Sequence, residues 1–265
     1  MFRGAGGLSE AVKEIGGKEF VTLSAKGQEL SEIDVTMDDD FERLLQAQAT
    51  WIHGAPPCKS FSTARRVDQH ASVKRLRSED RPQGFGCAVT ELANKLALRM
   101  LELAKSQMAK GQYFSIENPF SSLIWQLKQY VRLAAEKDVR FLRVHQCMAG
   151  SLHKKETGIL TNAPWLADLL CDMTTRPHHH VPLVGMVEDL QNNGRVFFTE
   201  LAAEYPQGLC DSWAHAARSW FRTRQEEVRA LGSASGRRDE VSTTVMLLGV
   251  TAPRRKRCGV GCGPL

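Results

Sequence analysis

Apolar residues recur along the first 162 positions in two alternating periods. Leu8, Val12 and Ile15 stand at helical spacing behind Ser9, a suitable N-cap. Glu19 to Leu23 and Ile33 to Val35 are short strand-type runs. Asp38, Asp39 and Asp40 then open a helix carrying Phe41, Leu44 and Leu45, where acidic residues suit the dipole of a first turn. Ala49 to His53 is a strand, and it breaks at Pro56-Pro57. A long helix follows from about Val89 to Ala109, with Leu92, Leu96, Met100 and Leu103 on one stripe. Tyr113 to Ile116 is a strand, Leu123 to Ala135 a helix, and Val139 to Cys147 and Gly158 to Thr161 are strands. Strands alternating with helices predict an α/β fold built on a parallel, doubly wound, Rossmann-like sheet.

Beyond residue 162 the pattern loosens. Residues 163–198 read as a short irregular insert with Pro164, Pro177 and Pro182. Residues 199–228 read as a closing helical segment, interrupted at Tyr205-Pro206. Residues 229–265 read as a flexible, glycine-rich basic tail. The division is thus a core at 1–162, an insert, a closing segment and a tail.

Composition narrows the class. The 265 residues are 42% hydrophobic, enough for one domain with a sizeable core. Seven cysteines, an odd number at irregular spacing, argue against a disulfide framework and for a reducing, intracellular compartment. No apolar stretch approaches the length of a membrane span. The net charge of +5 permits an anionic partner. That charge concentrates in residues 59–82, where seven Lys or Arg face three Asp or Glu. Arg254-Arg255-Lys256-Arg257 is a second basic run, of the kind that addresses proteins to the nucleus or binds nucleic acid.

Parallel sheets bind ligands at the carboxyl ends of their strands. Two chemically notable residues fall there. Cys58 follows two prolines that stiffen its approach, and Lys59, Arg65 and Arg66 beside it favour a thiolate, the nucleophilic form. Glu117 ends the apolar run Tyr113 to Ile116, where a carboxylate needs a partner and is placed to exchange a proton with a bound heterocycle. The opening glycines form a tight turn that lets a ligand approach the backbone.

Taken together, Phe2-Arg3-Gly4-Ala5-Gly6-Gly7, then Pro56-Pro57-Cys58-Lys59-Ser60-Phe61-Ser62, then Glu117-Asn118-Pro119 resemble the first, fourth and sixth motifs of the cytosine-C5 DNA methyltransferases. Order and spacing both agree. The resemblance covers roughly residues 2–162 and, more faintly, 194–220, and it suits a divergent branch of the sort carried by mobile elements or phages. It implies S-adenosylmethionine as cofactor, lined by Phe2, Gly4, Gly6, Gly7 and Leu8, with Asp34 at the adenine and Pro56 and Pro57 beside cofactor and target base. It implies Cys58 as the nucleophile at C6 of a flipped cytosine and a protonated Glu117 at ring N3. The basic stretch would be a DNA-contacting loop, through Ser60, Arg65, Arg66, Lys74, Arg75 and Arg77.

Departures are visible. Lys59 stands where the family has Gln, and Pro119 where it has Val. His145 to Asn162 occupies the place of an arginine-bearing eighth motif, so His153, Lys154 and Lys155 have to supply the charge, with Lys155 taken as the catalytic cation. Two other readings fit the same residues: a catalytically inactive nucleic-acid-binding module of a larger polyprotein, and the same chemistry on RNA. Cys171 with His178, His179 and His180 lacks a fourth ligand and standard spacing, and reads as a polar loop rather than a metal site.

Overall fold

The computed structural model describes Gly7, Leu8, Glu10–Val12, Glu14, Phe20, Val21 and residues 35–62, 76–171, 173–174, 178–183, 185–189, 194–197, 204–235 and 245–248. Phe2, Gly4, Gly6, Asp34, Arg65, Arg66, Lys74 and Arg75 lie outside the described residues.

In chain order the elements are β1 (Phe20–Val21), α1 (Asp38–Gln46), β2 (Trp51–Gly54), α2 (Ala88–Ala109) and β3 (Tyr113–Pro119). A 3₁₀ turn (Leu123–Gln126), α3 (Lys128–Ala134), β4 (Arg140–His145) and a second 3₁₀ turn (Gln146–Ala149) follow. Then come β5 (Glu156–Thr161), α4 (Pro164–Leu170), β6 (Met186–Asp189), β7 (Gly194–Phe197), α5 (Gln207–Ser235) and β8 (Val245–Leu248). Six strands form one sheet in the order β1-β8-β2-β3-β5-β4, and β6 and β7 form a separate hairpin.

The fold is α/β, but the sheet is mixed rather than all-parallel. β1, β8, β2 and β3 run parallel, whereas β5 is antiparallel to both β3 and β4. Side chains alternate between the faces of a strand. Ile52, Phe114, Ile116 and Leu160 therefore join one core with α2 and α3. Trp51, Val144 and Ile159 join a second with α4, α5 and Leu8, Ala11 and Val12. Helices thus cover both faces, and continuous burial of β2 follows from that.

Three expectations need correcting. Residues 163–198 are not irregular throughout: Pro164 at the first turn starts α4, and β6 pairs with β7. The boundary at 229 falls inside α5, which runs unbroken to Ser235. Most consequentially, Val245–Leu248 is not tail. It is an inner strand, flanked by β1 and β2. Four consecutive apolar residues, Val245-Met246-Leu247-Leu248, make up its sequence. Met246 is paired with Val21 on one side and Ile52 on the other. Met246→Pro is therefore expected to cost at least about 1–3 kcal/mol from a lost buried ladder bond. A fall in the urea midpoint checks this; an unchanged midpoint contradicts an inner β8.

Candidate active site

β2 and β3 are parallel neighbours, in register from Trp51↔Tyr113 to Gly54↔Ile116. Their carboxyl ends share one edge of the sheet. The chain leaves β2 through Pro56-Pro57-Cys58, and β3 carries Glu117 at the same level, so the two motifs meet. Asn118 ties them: its Nδ2 donates to the Pro56 carbonyl at 2.8 Å and to the Glu117 carbonyl at 3.1 Å. Asn118 Oδ1 is buried with no hydrogen-bond partner among the described residues. A Cβ at Gly54 would stand 2.1 Å from Met100 Sδ of α2, so any larger residue there would have to displace that side chain.

Past Cys58 the chain turns sharply. Phe61 N donates to Cys58 O at 2.9 Å, and the Phe61 ring is fully buried. Arg77 fastens this turn from the far side of the basic stretch. Its guanidinium lies 3.6 Å from the Phe61 ring centroid and donates to Ser60 Oγ at 3.1 Å. It also donates to Pro82 O at 2.6 Å, Asn94 Oδ1 at 2.8 Å and Thr90 O at 3.1 Å. Burial pulls its pKa down to about 10. Arg77 and Ser60 are 3% and 5% exposed, so both expected phosphate contacts are instead internal clamps.

Cys58 is half-buried, and its thiol is pushed above its ordinary value. Burial is the main cause and the neighbouring Glu117 adds to it; Lys155 and Lys59 act in the opposite direction. Of the cations expected to favour a thiolate, Lys59 acts in that direction, and Arg65 and Arg66 lie outside the described residues. Here desolvation and Glu117 together outweigh Lys155 and Lys59. Glu117 is 9% exposed, and burial raises its pKa too, against the opposing pull of Lys155 and of a hydrogen bond from Tyr205. The carboxyl is thus biased towards its protonated form.

Lys155 is close enough to lower the pKa of both groups. Lys154 pairs with Glu156 at 2.9 Å instead, and His153 Nδ1 donates to Val181 O at 2.9 Å. Two of the expected cofactor residues, Gly7 and Leu8, are among the described ones. Leu8 is fully buried in the second core, and a Cβ on Gly7 would stand 3.3 Å from Cys210 Sγ of α5. The helix of Gly7 and Leu8 is packed on α5, which occupies the sides of both residues.

A buried polar relay behind Glu117 was not read from the sequence. Trp51 Nε1 donates to Ser115 Oγ at 3.0 Å, and Ser115 Oγ is 2.8 Å from His53 Nδ1. His53 Nε2 is 3.2 Å from the Tyr205 hydroxyl, which bonds Glu117. One assignment uses each donor once: Trp51 to Ser115, Ser115 to His53 Nδ1, His53 Nε2 to Tyr205, and Tyr205 to the carboxyl. Strand alternation produces it, since His53, Ser115 and Glu117 all face α5. Burial pushes the Tyr205 hydroxyl well above its ordinary range and holds His53 down at about 3.

His53 is therefore neutral in the folded chain and must gain a proton on acid unfolding. Its depressed pKa means the unfolded chain binds more protons between pH 6.5 and about 3. The associated stability is complete above pH 6.5 and is lost as the pH falls towards 3. His53→Gln, which has no such group, is expected to lose stability less steeply across that window. Parallel urea titrations at pH 7 and pH 5 measure the difference; equal slopes would contradict a buried neutral His53.

Comparison with protein-family models and with curated proteins finds no match to this chain. Among the described residues no helix is long and apolar enough to cross a membrane.

Proposed function

We propose that the chain is a methyltransferase of the cytosine-C5 type, built on a doubly wound, Rossmann-like sheet, acting on DNA. The observation that carries this reading is a desolvated cysteine at the end of one parallel strand beside a protonation-prone carboxyl at the end of the next, with one lysine facing both. This pair suits attack on a weakly electrophilic ring that becomes reactive only as it is protonated. The substrate class rests on the motif resemblance and on the basic stretch that follows Cys58.

In this reading the Cys58 thiol gives its proton to the Glu117 carboxylate, which passes it to N3 as the sulfur adds to C6 of a cytosine. The C5–C6 double-bond electrons then collect at C5. S-adenosylmethionine, when bound, supplies an electrophilic methyl group for that carbon. Loss of the C5 proton to solvent water breaks the sulfur–C6 bond, and return of the N3 proton to Glu117 restores the ring and the starting protonation of the pair. Lys155 stabilises the anionic form of each group in turn. Pro56 and Pro57 would flank both ligands in this reading; the Pro56 carbonyl is fixed by Asn118, and the buried Asn118 Oδ1 offers an acceptor at the same edge.

Tyr205 orients Glu117 and is a positioning residue. Tyr205→Phe removes a hydrogen bond to a charged group, worth about 1.5–3 kcal/mol, so turnover is expected to fall about 10–100-fold. A structural role alone would leave the pH profile in place. Below the Glu117 pKa both groups carry protons and no thiolate exists, so the acidic limb follows Glu117. The Tyr205 bond lowers that pKa, and its loss should move the limb to higher pH. An unmoved limb contradicts the positioning role.

Adduct trapping tests the chemistry directly. In duplex DNA containing 5-fluorocytosine the C5 proton that must leave is replaced, so Cys58 cannot be released after methyl transfer. A denaturant-resistant protein–DNA adduct dependent on S-adenosylmethionine is expected. Its absence with nucleic acid bound would favour the inactive binding module.

A further inference from the structure

The sequence sets Cys171 beside the histidine run, whereas the fold brings a different cysteine to it. Cys147 Sγ and one ring nitrogen each of His178 and His180 all lie within 4.8 Å of one another. Cys147 sits in the 3₁₀ turn that ends β4, and the two histidines sit in the insert after α4. Their rings are stacked at a tilt, 4.2 Å between centroids. His180 Nε2 is buried with no hydrogen-bond partner among the described residues, a costly state that a metal bond would relieve.

We propose that Cys147, His178 and His180 form a zinc site that staples the insert to the sheet. Soft thiolate and imidazole donors select zinc over magnesium or calcium. On a tetrahedral zinc with bonds of about 2.0–2.3 Å, such donors stand roughly 3.3–3.6 Å apart. The triad closes on an ion through side-chain shifts of about an ångström. Three protein ligands leave the fourth position to water, and His178 is exposed, so water reaches it. Cys171 is not a ligand: its exposed thiol donates to Asp168 O at 3.0 Å.

The two sides are already in register. Val181 N donates to Leu152 O at 3.0 Å, His153 Nδ1 to Val181 O at 2.9 Å, and His145 N to Met173 O at 2.8 Å. On the core side Gln146 N donates to Lys155 O at 3.2 Å, and Gln146 Nε2 to Thr157 Oγ1 at 3.0 Å. The ion would thus clamp the insert to the turn that holds the backbone of Lys155. The site does not depend on the methyl-transfer reading.

The test uses the full chain, equilibrated with zinc, freed of excess by gel filtration and assayed by elemental analysis. One zinc per chain is expected. Loss of a mere outer-shell partner costs metal sites about 10–100-fold in affinity, so Cys147→Ser or His180→Ala should weaken binding at least about a hundredfold. Cys171→Ser and His179→Ala should keep full occupancy. Cobalt in place of zinc gives a readout on the unmutated chain, independent of how the variants fold: a near-ultraviolet thiolate-to-cobalt band is expected. Zinc content near zero, occupancy that survives Cys147→Ser, or bound cobalt without the thiolate band would each overturn the site.

Discussion

Cys58→Ala is expected to lower methyl transfer by more than about a thousandfold, the scale seen when a covalent nucleophile is removed. Binding of S-adenosylmethionine should survive, because the side chain removed makes no hydrogen bond needed to hold the turn. That turn is fixed by Phe61 N to Cys58 O and by the buried Phe61 ring. Calorimetry with the cofactor and a turnover assay on one preparation separate the two effects. Retained turnover would contradict covalent catalysis, and joint loss of binding and turnover would mean that the variant has lost its fold.

Glu117→Gln carries the second large effect. The amide keeps the shape and can hydrogen-bond ring N3, but it has no acidic proton to deliver. General acid–base groups contribute about a hundred- to ten-thousandfold, and a loss in that range is expected in kcat. Binding of nucleic acid should change little, since Glu117 is 9% exposed and offers a phosphate little surface. A variant with near-normal kcat would show that protonation at N3 is not the task of this carboxyl. The amide also replaces a carboxyl whose pKa is raised by burial, so the fold should tolerate a neutral group there.

The parts of this site legible in the sequence are those set by local chemistry. An apolar run ended by Pro56-Pro57 is a strand end, and Cys58 follows it. An apolar run ended by Glu117 is another, and parallel pairing brings the two together. What was not legible depends on distant contacts. Tyr205 and His53 are 152 positions apart, and no periodicity links them. Arg77 looked like one more cation in a solvated basic stretch. Only the placement of Phe61 beneath its guanidinium shows that its charge is used internally. The direction of β5 was hidden because a short buried run reads alike in parallel and antiparallel sheets. β8 was hidden for a related reason: four apolar residues beside a basic, glycine-rich stretch weigh little in composition, yet they take an inner place in the sheet. Cys147 and the histidine run join only because the insert folds back onto the end of β4.

The state of Cys58 shows where sequence reasoning about charge falls short. Neighbouring lysines and arginines argue for a thiolate, but desolvation and Glu117 push the thiol the other way. The folded chain thus holds a thiol, not a ready thiolate, beside a carboxyl that takes up a proton readily. Activation is expected to accompany binding of the base, when the proton on Glu117 is drawn to N3.

The most direct test is transfer of labelled methyl from S-adenosylmethionine to duplex DNA, single-stranded DNA and RNA, each with the wild-type chain and with Cys58→Ala. The account predicts label on DNA that disappears in the variant. Label on RNA alone would keep the chemistry and change the polymer. No label on any of the three, with the protein folded and nucleic acid bound, would contradict the account.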